Sequence, residues 1–180
     1  HLMDVIEYIT GLKTVEVMAD FNTIHKLRKK PLKPVETYSG KMLKPEDYAD
    51  VPITTEDHAN VLLRFDNGNR GSITVSQVSA GRKNQLKLEV SGSIKTFAWN
   101  SEAPNEMWIG NRDKSNESLM RDPSLAHMEA RSIISFPGGH KEGFPDTSKQ
   151  LFKEVYEAIV ANKQPERALF PTFADGYREL

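Results

Sequence analysis

Ala59-Asn60-Val61-Leu62-Leu63-Arg64-Phe65-Asp66-Asn67-Gly68-Asn69-Arg70-Gly71-Ser72-Ile73-Thr74-Val75 is the stretch whose reading decides the fold class. Ala59, Val61, Leu63 and Phe65 recur at every second position, and Ile73 and Val75 resume the alternation. Period two is the signature of a strand with one buried face. Between the two runs stands Asp66-Asn67-Gly68-Asn69. Asn-Gly in that place predicts a tight hairpin, because both residues tolerate positive φ.

The pattern extends C-terminally. A second turn is predicted at Ala80-Gly81-Arg82-Lys83-Asn84, followed by a strand carrying Leu86, Leu88 and Val90. Ser91-Gly92-Ser93 turns again, Ile94–Trp99 forms another strand, and Trp108 and Ile109 belong to a further short one. Residues 57–111 therefore read as an antiparallel meander of four or five strands with one polar face. Something must cover the other face.

On the N-terminal side, Leu2, Val5, Ile6 and Ile9 lie at helical spacing and Gly11 sits where a C-terminal cap belongs, which predicts a helix over 2–10. Val15, Val17, Ala19 and Phe21 then alternate, predicting a strand over about 13–24. Residues 25–52 read as a long irregular excursion. It contains His25-Lys26-Leu27-Arg28-Lys29-Lys30 and Pro31, Pro34, Pro45 and Pro52. The basic stretch reads as a solvated face rather than a nucleic-acid site, because the chain as a whole is not basic. Beyond 111 the pattern weakens, and Phe136–Phe144 reads as a mobile, Gly-rich loop. Leu151, Phe152, Val155, Ala158 and Ile159 draw one apolar stripe, predicting a helix over about 146–161. Thr172 and Asp175 resemble a capping box that opens a last helix.

Composition excludes several function classes. The 180 residues carry 24 Lys+Arg against 25 Asp+Glu, a formal charge of -1. That balance removes the main electrostatic drive toward nucleic acid or anionic membrane. No apolar run approaches the ~18 residues of a membrane span. The first residues do not read as a signal peptide, since Asp4 and Glu7 interrupt the apolar stretch. There is no cysteine, which rules out disulfides, thiolate nucleophiles and Cys zinc sites and is compatible with a cytoplasmic home. The length reads as one domain over 1–180, and its apolar fraction of 38% is slightly low, as for a domain that rests on a neighbour. No Gly-rich turn of the GxGxxG or GxxxxGK[ST] kind joins a strand to a helix, so the chain shows no nucleotide-phosphate cradle of its own.

Several segments, taken in order, resemble the C-terminal half of the Gfo/Idh/MocA family of NAD(P)-dependent sugar and polyol oxidoreductases, and most of all its levoglucosan-dehydrogenase-type members. They are His1-Leu2-Met3-Asp4 running into Glu7-Tyr8-Ile9-Thr10-Gly11, Val35–Gly40, Thr55-Glu56-Asp57 and Arg64–Gly68. Ser76–Asn84, Trp99–Gly110, Gly139–Phe144 and Phe170–Gly176 continue the series. The resemblance implies an α+β fold: a large, mostly antiparallel open sheet with helices packed on one face. It implies a substrate-binding and oligomerisation domain whose partner Rossmann domain, absent from this chain, would hold NAD or NADP. No cofactor is then expected to bind these residues, and this piece alone is expected to be inactive. The expected partners are a sugar or polyol, the protein's own Rossmann domain and a second copy met through the open sheet, with no nucleic acid and no membrane.

The family's catalytic pattern is similar to Asp-x-Gly-x-His-x-x-Asp, and His1 and Asp4 match its last two positions. Oxidising a secondary alcohol requires a base for the hydroxyl proton, and an imidazole titrates near the operating pH. The resemblance thus makes His1 the catalytic group and Asp4 the residue that orients it, against the plainer reading of Asp4 as an exposed helix carboxylate. His140, Arg82, Lys83, Asn84 and Tyr38 are candidate substrate contacts, since a sugar pocket needs hydrogen-bonding groups on loops; each is weighed against an ordinary solvated residue. Trp99 and Trp108 read as core or interface residues rather than sugar platforms. Glu56-Asp57-His58 and His140/Glu142/Asp146 have no recognised ligand spacing, so no metal is expected. The competing reading from another class is a stand-alone carbohydrate-binding or scaffold module without catalysis.

Overall fold

The computed structural model describes residues 1–36, 43–163, 165 and 168–180. They form two compact units, His1–Gly81 and Arg82–Leu180. All strand pairs are antiparallel, in ladders of three, two and four strands, so the α+β, mostly antiparallel class is as expected.

The first unit opens with α1 (Leu2–Thr10) and β1 (Thr14–Asn22). Gly11 ends the helix at φ +71, and its N–H donates to the Glu7 carbonyl at 2.8 Å. That left-handed cap is what glycine supplies at no steric cost. The buried Glu7 carboxylate then holds the turn into β1, accepting from the Thr14 amide at 3.0 Å and from Lys13 Nζ at 3.2 Å.

The central strand of the three-stranded ladder is β4 (His58–Phe65), between β1 and β5 (Arg70–Ser76). Val17 faces Leu63, Ala19 faces Val61 and Phe21 faces Ala59; on the other side Leu63 faces Gly71, Val61 faces Ile73 and Ala59 faces Val75. Residues opposite one another share a face, so the alternation read from the sequence becomes one apolar surface. Its centre is buried at Ala59, Leu63 and Phe65, with Leu63 only 1% exposed.

The hairpin between β4 and β5 is as predicted, but its turn differs. Gly68 alone has positive φ (+85), and Asn67 does not. The loop is the three residues Asp66–Gly68, with Phe65 N–H donating to the Asn69 carbonyl at 3.0 Å and Gly68 N–H to the Phe65 carbonyl at 2.9 Å. Asn67 keeps negative φ and instead uses its side-chain oxygen, which accepts from the Asn69 amide at 3.0 Å. This is the three-residue alternative, in which only the last residue is left-handed.

Residues 25–52 are not wholly irregular. β2 (Leu27–Pro31) pairs with β3 (Tyr48–Pro52), Leu27 opposite Pro52 and Pro31 opposite Tyr48, and a 3-10 turn at Pro45–Asp47 leads into β3. The charged run hid the strand because this two-stranded ribbon is largely exposed, so no apolar alternation is demanded of it. Its prolines stand at the ladder ends, where a missing N–H is tolerated. Lys29 is paired with Asp50 across the ribbon at 2.6 Å. The buried Asp57 carboxylate anchors the entry to β2, accepting from the Ile24 amide at 2.8 Å, the His25 amide at 3.0 Å and Arg28 at 3.3 Å.

The predicted single meander over 57–111 is divided. β5 and β6 belong to different ladders, and the expected turn at 80–84 is where the chain leaves one unit for the other. In the second unit β6 (Lys87–Ser91), β7 (Lys95–Asn100), β8 (Glu106–Asn111) and β9 (Glu117–Met120) follow one another in a four-stranded ladder. Val90, Phe97 and Ile109 share one face with Leu88, Trp99, Met107 and Leu119; Glu89, Ala98, Trp108 and Ser118 share the other. β9 gave no sequence signal because its four residues are all exposed. The short helix α2 (Met128–Arg131) was silent for the same reason.

α3 (Phe144–Ala161) starts two residues before its predicted position. Gly143 N–H donates to Asp146 Oδ2 at 2.9 Å, so Asp146 caps the helix from its third position rather than opening it. α4 (Phe173–Glu179) has the predicted capping box: Asp175 N–H donates to Thr172 Oγ1 at 3.3 Å, and Thr172 N–H to Asp175 Oδ2 at 2.8 Å.

Candidate functional site

In the first unit, His1 stands at the N-cap of α1, its carbonyl accepting from the Val5 amide at 3.0 Å. Its side chain is exposed and makes no capping bond. Asp4 lies in the same first turn, half-buried. Among the described residues no hydrogen bond joins the His1 imidazole to Asp4, so the helix brings the two to one turn without locking them together. A carboxylate in the first turn is also favoured by the helix dipole. Tyr38 lies outside the described residues.

The remaining candidates belong to the second unit. Arg82 forms an ion pair with Glu102 at 2.9 Å. Gln85 Nε2 donates to the same Glu102 oxygen at 2.6 Å and to Asn100 Oδ1 at 3.3 Å. Arg82 is thus part of a stitch between two loops of its own unit. Lys83 and Asn84 are exposed, with no hydrogen bond among the described residues.

His140 sits in the Gly-rich segment, which is a loop as expected and is tied by hydrogen bonds from outside it. Arg121 Nε donates to Asn105 Oδ1 at 2.7 Å, its Nη1 to the Phe136 carbonyl at 2.9 Å, and its Nη2 to the His140 carbonyl. Glu142 Oε1 accepts from the amides of Ser135 at 2.6 Å and Phe136 at 2.7 Å. Asn105 holds the Glu142 backbone from both sides, Oδ1 accepting from its N–H and Nδ2 donating to its carbonyl, each at 3.1 Å. Arg121 and Glu142 are 3.8 Å apart, with side chains only 15% and 13% exposed. Lys149 of α3 adds a bond to Ser135 Oγ at 2.6 Å. The His140 side chain itself is exposed and makes no hydrogen bond among the described residues. Neither Arg121 nor Asn105 was singled out from the sequence. Their signal is tertiary, since 16 residues separate them and 37 separate Asn105 from Glu142.

Two carboxylates nearby are held below the usual carboxylate range. The Ser124 hydroxyl and amide do this at Asp122, and the Gly143 amide and Lys149 do it at Asp146. In the first unit the Ile24 and His25 amides, with Arg28, lower Asp57 in the same way. These are spent structural carboxylates, stabilised as anions by bonds already made. Among the described residues no group of three or more His, Asp or Glu is placed to hold a metal ion. No helix among them is long and apolar enough to cross a membrane.

A shallow cavity of about 550 Å³ opens on the polar face of the four-stranded ladder, lined by Lys87, Glu89, Asn100, Glu106, Trp108 and Ser118 among others. The Trp108 ring lies against Gly110, where a Cβ would stand 2.5 Å from Cη2. Trp99 and Trp108 line it, whereas the described candidates His1, Asp4, Arg82, Lys83, Asn84 and His140 are not among its lining residues.

The described residues form no dinucleotide cradle of the strand–glycine turn–helix kind. All strand pairs are antiparallel, so no βαβ unit is formed among them. Of the glycines with positive φ, Gly11 ends a helix, Gly68 closes a hairpin, and Gly81 and Gly139 lie in loops; none leads a strand into a helix. The start of α3 is occupied by its own Asp146.

Comparison with known proteins adds four observations. The family model described as the GFO/IDH/MocA C-terminal domain matches residues 1–98. A levoglucosan dehydrogenase of Pseudarthrobacter phenanthrenivorans is 24% identical over 133 residues, covering 71% of this chain and 32% of that protein. The crystal structure of an oxidoreductase domain protein from Kribbella flavida superposes with a TM-score of 0.75 at 26% identity, over 98% of this chain and 43% of that one. A levoglucosan dehydrogenase in complex with NADH and levoglucosan superposes with a TM-score of 0.72 at 21% identity, over 98% of this chain and 42% of that one, a likeness of fold alone. The matched part of the chain spans about a third or less of the curated relatives' own length.

Proposed function

The chain belongs to the GFO/IDH/MocA family, matching its C-terminal domain, and from that premise we propose that it is the substrate-binding and oligomerisation half of a cytoplasmic dehydrogenase. The reaction is hydride transfer between a sugar or polyol hydroxyl and NAD or NADP. The observation that carries this reading is the family match joined to a likeness of fold over 98% of the chain. The levoglucosan dehydrogenase of similar fold, complexed with NADH and levoglucosan, supports the substrate class and the nicotinamide.

The nicotinamide supplies hydride chemistry when bound, and the described residues form no cradle for it, so a Rossmann domain of the same protein is the proposed holder. What these residues contribute is the handling of the alcohol. The His1 imidazole accepts the hydroxyl proton, and Asp4 on the same turn biases its orientation. His140, Arg82, Lys83, Asn84 and Tyr38 are the further proposed substrate contacts. A second copy associates through an open sheet face. Much of the rate of such a reaction comes from holding donor and alcohol together, so these 180 residues alone are inert.

The test has two arms. In the full-length protein, His1→Ala lowers kcat/KM for a sugar or polyol by about a hundredfold or more, the usual size of a proton-transfer contribution. Normal turnover in that variant removes the assignment. Calorimetry of this chain with NAD and NADP shows no binding, and micromolar affinity for either would overturn the division of labour. Sugar binding by this chain with no nicotinamide-linked turnover in the full-length protein would favour a binding module instead.

A further inference from the structure

We infer that Arg121 is a positioning residue: it fixes the backbone from Phe136 to His140 so that the His140 imidazole is offered to substrate from one place. The inference rests on the reading of His140 as a sugar contact and adds the residue through which that contact is set.

The argument starts from the glycines. Gly138 and Gly139 stand together in the segment, and Gly139 has φ +84, so the local chain has no preference strong enough to define its own course. A Cβ at 138 would stand 3.2 Å from Asp122 Oδ2, so the segment also passes tight against that side chain. Order must come from outside. Arg121 supplies it with one planar group, whose three nitrogens reach Asn105 Oδ1, the Phe136 carbonyl and the His140 carbonyl. Two carbonyls that flank the glycine pair are thereby tied to a single rigid fork. Glu142 and Asn105 fasten the ends, through the amides of Ser135 and Phe136 and both polar groups of the Glu142 backbone.

Arg121, Asn105 and Glu142 each bond backbone or another member of the clamp, whereas the His140 imidazole makes no hydrogen bond among the described residues. A fixed backbone under an unspent side chain is the arrangement that lowers the ordering cost of binding. Lysine cannot replace Arg121 here, because a point ammonium cannot hold three acceptors in the plane of one fork.

The test uses the full-length protein with Arg121→Ala, Arg121→Lys, His140→Ala and the double Arg121→Ala/His140→Ala variant. Three readouts are taken: amide hydrogen exchange over 135–143, KM and kcat for the sugar or polyol, and the global unfolding transition as a control for folding. Arg121→Ala is expected to speed exchange in that segment about tenfold or more while distant amides keep their rates. It raises KM about tenfold with kcat within about threefold, and Arg121→Lys restores only part of the protection. The double variant has the KM of His140→Ala alone, because a residue acting through His140 has nothing left to act on. Unchanged exchange in Arg121→Ala, or additive KM losses in the double variant, would overturn the inference. If exchange rises but His140→Ala leaves KM unchanged, the reading of His140 fails and the positioning role falls with it, while the clamp stands as structure only. If Arg121→Ala does not fold, Arg121→Lys decides by the same readouts.

Discussion

Two glycines offer a direct test of which contacts hold this fold. A methyl group at 71 would stand 3.0 and 3.2 Å from Cε2 and Cζ of Phe65; one at 110 would stand 2.5 and 2.8 Å from Cη2 and Cζ3 of Trp108. By overlap alone, Gly110→Ala should cost more. Burial reverses the order. Phe65 is 6% exposed and lies within the apolar face of the first sheet, whereas Trp108 is 43% exposed on the polar face of the second. The Trp108 ring can lift into solvent, while Phe65 can move only by displacing its neighbours. Neither glycine has a left-handed φ, so alanine fits both backbones and each variant gains about 0.4–1 kcal/mol from the stiffer unfolded chain. Against that, overpacking at a buried site costs about 1–3 kcal/mol. Gly71→Ala is therefore expected to lose roughly 0.5–2 kcal/mol, and Gly110→Ala to stay within about 0.5 kcal/mol of the parent. Urea unfolding with m near 1–3 kcal/mol/M places the first midpoint lower by about 0.2–2 M and leaves the second almost unmoved. Tryptophan emission of folded Gly110→Ala shifts to longer wavelength as the ring leaves the sheet. A larger loss at 110 than at 71, or unchanged emission at 110, would refute the reasoning.

Leu63→Ala is expected to destabilise by about 3–5 kcal/mol, the upper part of its range, because the facing Gly71 has no side chain to fill the space; urea unfolding measures it. Acid should unfold the chain through its structural carboxylates. Asp57 is held below its ordinary 3.8 in the folded state, so its contribution is complete above that value and is lost as pH falls through the lower folded value. Glu117, Asp122 and Asp146 shift the same way and add to the slope. Urea midpoints measured from about pH 5 downward should fall less steeply in Asp57→Asn than in the parent, and equal slopes would contradict the assignment. Thr172→Ala removes one half of a reciprocal cap and should cost α4 about 1 kcal/mol, seen as faster amide exchange over the first turn of that helix.

What was legible in the sequence follows from which forces each segment answers to. α1, β4, β5 and α4 announce themselves because each half-buries one face or carries a cap, which leaves a periodic or positional trace of a few residues; β1 keeps its apolar alternation although it is exposed beyond Thr14. β2 leaves none: Arg28 and Lys29 are answered by Asp57 and Asp50, partners that lie about 20 or more residues away. The same holds at the candidate site. His140 is visible as a residue type in a glycine-rich stretch, but the clamp that turns a flexible reading into a fixed loop joins Asn105, Arg121 and Glu142 across three segments. Local pattern finds the group that touches a ligand more readily than the groups that hold it still.

The slightly low apolar content takes on a sharper meaning beside the burial. Few side chains are fully enclosed, while Phe152, Tyr156, Ile159 and Val160 on α3 and Phe173 and Tyr177 on α4 are exposed, Val160 by 86% and Phe173 by 101%. The shortage therefore lies less in the number of apolar residues than in how many these 180 residues can cover by themselves. At roughly 25 cal/mol per Å² of apolar surface, covering a few such side chains contributes several kcal/mol, comparable with the whole net stability of a domain. A domain proposed to rest on its own Rossmann half and on a second copy would draw that contribution from both contacts. The full-length protein should accordingly unfold at a higher urea concentration than this chain alone. Equal midpoints would mean that the exposed faces stay bare and that the proposed partners lie elsewhere.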